Sequence, residues 1–131
     1  MPHRSRLGAI VIDCRCDDLS DHVTFWSGAL GYEPTYFDEE PDYVGLGVPG
    51  DEVTVLLQRV GHDSRVHLDI ETDDKEAEVR RLEGLGAKRV ADIKRWVVME
   101  APSGHRFCVV DPQRRDFAAN ANEWPNIRKD A

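Results

Sequence analysis

The ten residues "RVHLDIETDD", Arg65 to Asp74, decide the fold. Polar and apolar side chains alternate through them, as on a half-buried strand, and the closing acidic pair suits the start of a helix. His67 nonetheless stands where an apolar side chain would be routine on a half-buried strand. The same design occurs earlier in "VIDCRCDD", Val11 to Asp18, where Val11 takes the place of His67. Both copies carry an aspartate at the third position, and both end in Asp-Asp.

The repeat continues beyond each copy. Val23, Trp26 and Leu30 in the first, and Val79, Leu82 and Leu85 in the second, recur at helical spacing and predict two one-sided helices. Asp73 followed by Glu76 predicts a capping box with Asp in place of Ser or Thr. Leu30-Gly31 and Leu85-Gly86 predict the ends, because glycine accepts the left-handed conformation that closes a helix. Short strands are then expected at Tyr32 to Phe37, Tyr43 to Val48 and Val53 to Gln58. Their counterparts are Ala87 to Ala91, Arg95 to Glu100 and Arg106 to Val110. Pro49-Gly50 and Pro102-Ser103-Gly104 mark matching turns. Each half therefore reads β-α-β-β-β, which gives an α+β fold class. A single domain is expected over 7–112, in two modules, 7–60 and 63–112, with a C-terminal tail over 113–131. Phe117 and Trp124 predict that this tail docks, on its own domain or on a partner.

Composition limits the function. The 131 residues are 40% hydrophobic and 32% charged with a formal net charge of -8, as in an acidic globular protein. That balance argues against nucleic acid, whose phosphates require clustered Lys and Arg. No apolar run approaches the roughly 18 residues of a spanning helix, and "MPHRSRLG" lacks the apolar core of a signal peptide. A cytoplasmic protein without a membrane partner is expected. Cys14, Cys16 and Cys108 form neither CxxC nor a zinc-finger spacing and read as reduced, small core residues.

In this order and spacing, "IVIDCRCDDLSDHVTFWSGALGYEP", "RVHLDIETDDKEAEVRRLEGLGAKRV" and "WVVMEAPSGHRFCVVDP" resemble the vicinal oxygen chelate superfamily, and within it the glyoxalase-like and bleomycin-resistance-like domains. The resemblance implies two βαβββ modules whose sheets curl around a cup, and a homodimer. It also implies four metal-ligand places in the members that use metal. Here they fall at Val11, near Thr54, at His67 and at Cys108, so only His67 keeps a usual ligand type. Since a catalytic divalent ion needs about three protein ligands, no resident metal and no cofactor are expected. A makeshift site of Asp13, His67 and Cys108 is the alternative.

Alternation puts Asp13, Arg15, His67, Asp69 and Glu71 on one side of their strands, where the carboxylates need partners such as Arg15, Arg65 or Arg106. Asp13, His67, Asp69, Trp96 and Cys108 are the expected ligand-binding residues, and His67 is the candidate catalytic residue. For Trp96, core packing is an equally available reading, and Cys108 reads first as a packed thiol lining the pocket. His67 and Cys108 as a thiolate-imidazole pair is a weaker one, because no helix N-terminus is expected beside Cys108. The favoured function is a metal-independent binder of a small polar molecule, similar to antibiotic-sequestering members. The alternative is a lyase, isomerase or dioxygenase in which His67 is a metal ligand, or a general base with Asp69 or Glu71. Whether the protein is an enzyme stays open at this point.

Overall fold

In the computed structural model, residues 2–50 and 52–125 are described. The chain runs β1 (His3–Arg15), α1 (Ser20–Leu30), β2 (Pro34–Tyr36), β3 (Tyr43–Leu46) and β4 (Thr54–Val60). It continues as β5 (Arg65–Thr72), α2 (Lys75–Gly84), β6 (Lys88–Ile93), β7 (Trp96–Glu100) and β8 (Arg106–Val110). The order β-α-β-β-β thus occurs twice, as the repeat requires, and the fold is α+β. Two short elements complete it, α3 (Phe117–Asn120) and β9 (Asn122–Trp124). By contacts the chain forms two compact units, one of Ala9–His67 and one of Met1–Gly8 with Leu68–Ala131.

In the Ala9–His67 unit, β1 pairs in parallel with β4, from Ala9 opposite Thr54 to Arg15 opposite Val60. Strand β4 pairs antiparallel with β3, and β3 with β2. Alternation sends Ile12, Cys14 and Cys16 to the side of α1, where Cys14, Leu19, Val23, Val44 and Leu57 form the core and Trp26 packs against it. Asp13 faces the other way. Helix α1 ends as expected, with Gly31 left-handed at φ 74 and its N–H bonded to the Ser27 carbonyl. Its start differs from a side-chain cap. Leu19 occupies the N-cap, and Asp18 instead accepts from the Ser20 amide at 2.9 Å and the Ser20 hydroxyl at 2.7 Å.

In the other unit, β5 pairs in parallel with β8, β8 antiparallel with β7, and β7 with β6 across a bulge between Arg89 and Ala91. Val79 and Leu82 of α2 meet Val97, Met99 and Val109 of the sheet. Met99, Val79 and Val109 are wholly buried, and each contributes on the order of 1.5–3 kcal/mol. The cap of α2 lies one residue later than the sequence predicts. Asp74 accepts from the Ala77 amide at 3.1 Å, while Asp73 is taken by the Arg4 amide at 2.8 Å.

The segment after Pro112 is more ordered than its lost periodicity suggests, and it docks within its own unit. Strand β9 pairs antiparallel with the start of β1, His3 opposite Trp124. The Trp124 indole donates to the Ser5 hydroxyl at 2.8 Å and carries the Arg81 guanidinium 3.9 Å above its ring. Phe117 is buried beneath Arg6. Of the expected tail, 126–131 lies outside the described residues.

Candidate functional site

Asp13 and His67 come together. The imidazole Nδ1 donates to Asp13 Oδ2 at 2.7 Å, with the aspartate side chain 2% exposed and the histidine 13%. A carboxylate at Nδ1 fixes ring orientation and tautomer, which makes Nε2 the nitrogen able to take a proton or ligate an ion. The other aspartate oxygen, Oδ1, is buried with no hydrogen-bond partner among the described residues. Arg65 approaches the shared oxygen, its Nε 3.8 Å from Asp13 Oδ2.

Asp69 lies two residues beyond His67 on the same face of β5, and the β5–β8 register sets Cys108 opposite it. Asp13 orients the histidine. Imidazole, carboxylate and thiolate are each donor types that zinc and similar ions accept. Val11 is buried and carries no donor.

Trp96 opens β7 opposite Ile93 of β6, two residues before Val98, which the register sets opposite Cys108, so alternation puts Trp96 and Cys108 on one face. Glu71, named as a possible basic partner of His67, is completely buried and engaged elsewhere. It accepts from the Gln113 amide at 2.6 Å, the Arg114 amide at 3.0 Å and Arg6 Nε at 2.5 Å. Gly8 permits this approach, since a Cβ there would lie 3.0 Å from the Glu71 Cβ. Of the three arginines expected to serve the carboxylates, Arg15 pairs with Asp63 and Arg106 with Glu100, and only Arg65 reaches Asp13.

Sequence reasoning missed a second buried polar group. Glu78 on α2 is wholly buried and is met by His3 Nε2 at 2.8 Å and by Arg81 at 2.9 and 2.7 Å. Burial pushes the Glu78 carboxyl up, but the hydrogen bonds from Arg81, His3 and Ser5 outweigh it and hold the group below its ordinary value. Burial raises the Cys14 thiol, with Cys16 and Asp13 adding to the effect, which suits an inert core residue. A polar cleft of about 560 Å³ opens in the Ala9–His67 unit along Arg15, Cys16, Asp42 and Arg59, and it includes none of the five expected ligand-binding residues.

Two βαβββ runs in a mixed sheet define a protein of the vicinal oxygen chelate class, and the comparisons agree. A family model described as a glyoxalase-like domain matches residues 9–110, and the chain belongs to that family. A search of curated proteins gives no match. Among solved structures, the chain is similar to methylmalonyl-CoA epimerase from Mycobacterium tuberculosis, with 18% identity and a TM-score of 0.59 over 87% of this chain and 91% of that one. It is also similar to a hypothetical protein from Bacillus halodurans C-125, with 12% identity and a TM-score of 0.61 over 85% and 96%. A variant of Streptomyces coelicolor methylmalonyl-CoA epimerase in complex with 2-nitronate-propionyl-CoA gives 17% identity and 0.58 over 83% and 98%.

Proposed function

We propose that this glyoxalase-like protein binds a small polar molecule at His67, without requiring a resident metal. The observation that carries the reading is the 2.7 Å bond from His67 Nδ1 to the buried Asp13 carboxylate. An imidazole held in one orientation at the edge of solvent offers a ligand a directed hydrogen bond, and it can hold or release a proton at Nε2. Structural packing alone does not call for a carboxylate sequestered behind a half-buried histidine. The homodimer implied by the superfamily resemblance belongs to this proposal, and light scattering at micromolar concentration checks it.

A second reading is favoured by one observation, the similarity of the fold to methylmalonyl-CoA epimerases. In it the protein is a lyase, isomerase or dioxygenase of the superfamily. His67 is then a metal ligand or a general base, and Asp13 supports it, as buried carboxylates do at many metal sites. A bound ion would supply Lewis-acid chemistry.

A thermal-shift screen of small polar molecules, run with and without added zinc, nickel or manganese, separates the two. Hits that stabilise the metal-free protein, and whose affinity drops about fivefold or more in His67→Ala, support the first. Hits that appear only with one equivalent of metal, bound in wild type and lost in His67→Ala, support the second. Full affinity in a folded His67→Ala variant would move the site away from this residue.

A further inference from the structure

Arg65 shares a face of β5 with His67 by strand alternation, and both converge on a single oxygen. Arg65 Nε lies 3.8 Å from Asp13 Oδ2, the atom that accepts from His67 Nδ1 at 2.7 Å. The arginine side chain is 50% exposed. Its one hydrogen-bond contact among the described residues is Nη2 to His62 Nε2 at 3.3 Å. Other arginines of the same unit are neutralised directly: Arg15 meets Asp63 at 2.8 Å and Arg59 meets Asp42 at 2.6 Å. Arg65 has no carboxylate at hydrogen-bond distance among the described residues. Its planar fork remains able to take an oxyanion with two parallel bonds.

A second observation points to a ligand at the same place. Asp13 is 2% exposed, and its Oδ1 has no donor among the described residues. A buried carboxylate oxygen left unpaired is costly, so a hydroxyl or amino group that reaches it recovers that cost. One residue asks for an anion and its neighbour asks for a donor.

We propose that Arg65 is the anion-holding residue of the His67 site, and that the ligand is a small hydroxy- or amino-carboxylate. This inference rests on the small-molecule reading of His67 and names its chemical class. The carboxylate of the ligand lies on the Arg65 guanidinium, and its hydroxyl or amino group donates to Asp13 Oδ1. His67 contacts the atoms between them. In a chain of net charge -8, a half-exposed cation whose nearest carboxylate is 3.8 Å away, beyond hydrogen-bond distance, makes the site locally receptive to anions.

The test uses three probes titrated into the full-length protein and followed by NMR: lactate, lactamide, which lacks the charge, and propanoate, which lacks the hydroxyl. Lactate is expected to bind about tenfold or more tighter than lactamide, the difference carried by a charge-assisted hydrogen bond. Propanoate is expected to fall several-fold below lactate. Arg65→Gln should bring the lactate to lactamide ratio close to one, with circular dichroism unchanged. His67→Ala should weaken lactate and lactamide together while keeping their ratio. Equal wild-type affinities, no saturable response to lactate, or a ratio that survives Arg65→Gln overturns the assignment. If Arg65→Gln removes the preference while His67→Ala changes nothing, the anion site stands and the His67 reading fails.

Discussion

The two compact units treat buried carboxylates in opposite ways. In the unit of Met1–Gly8 with Leu68–Ala131, Glu71 receives two backbone amides and Arg6, and Glu78 receives His3 and both sides of the Arg81 fork. In the Ala9–His67 unit, Asp13 receives one imidazole, a distant guanidinium, and nothing at Oδ1 among the described residues. A well-satisfied carboxylate holds structure together, because both of its oxygens are already engaged by the protein. An unsaturated one keeps capacity for a molecule from outside. Burial alone does not separate a structural acid from a functional one, whereas the count of donors does.

The contrast is broken most directly at Glu78. Replacing it with Ala strands Arg81 and His3, and it should lower unfolding free energy by about 3–5 kcal/mol in urea denaturation at neutral pH. A loss under about 1 kcal/mol would remove Glu78 from the structural class. Its pH behaviour follows from the direction of its shift. A carboxyl held below its ordinary value contributes stability above the unfolded pKa of about 4.3, and loses it as pH falls through the lower folded value. Denaturation midpoints in wild type should therefore fall as pH drops below about 4, and Glu78→Gln should flatten that decline.

Glu71→Gln should cost about 1–3 kcal/mol, since one amide oxygen and an NH2 cannot serve two backbone donors and Arg6. Faster hydrogen exchange of the Gln113 and Arg114 amides is the matching local signal. Trp124→Leu should cost about 0.5–2 kcal/mol, from the lost indole donor and the Arg81 contact, read as a lower thermal midpoint. The smallest stability effect is expected at Asp13. Asp13→Asn should shift stability by less than about 1 kcal/mol, because it exchanges an under-satisfied charge for a neutral amide. Its ligand response should nevertheless fall. Large destabilisation with unchanged binding would place Asp13 beside Glu71 and Glu78.

The repeated strand-helix-strand pattern is legible because its signals are local. Alternation, helical spacing and Leu-Gly stops put most element ends within a residue or two. The α2 cap differs by one residue for a non-local reason: Asp73 and Asp74 are equally able to cap, and the Arg4 amide decides between them. Asp13 and His67 can each be singled out as a polar residue on an inward face. Their pairing spans 54 residues of chain and is set by strand placement. His3 and Glu78 give no signal, one falling in an apparent tail and the other reading as an ordinary acidic helix residue. Strand β9 is invisible because three residues carry no period.

The pairing of β9 with the start of β1 has a consequence for connectivity. His3 and Trp124 are register partners on adjacent antiparallel strands, so the two ends of the described chain are side by side. A short Gly-Ser bridge would join them, and the chain could be reopened at the exposed turn around Gly61 and His62. A permutant built in this way on residues 3–124 should fold, since ends that lie close together and a new opening at a loop tip are the conditions under which permutation is tolerated. The order of elements along the chain is thus separable from their arrangement in the sheet.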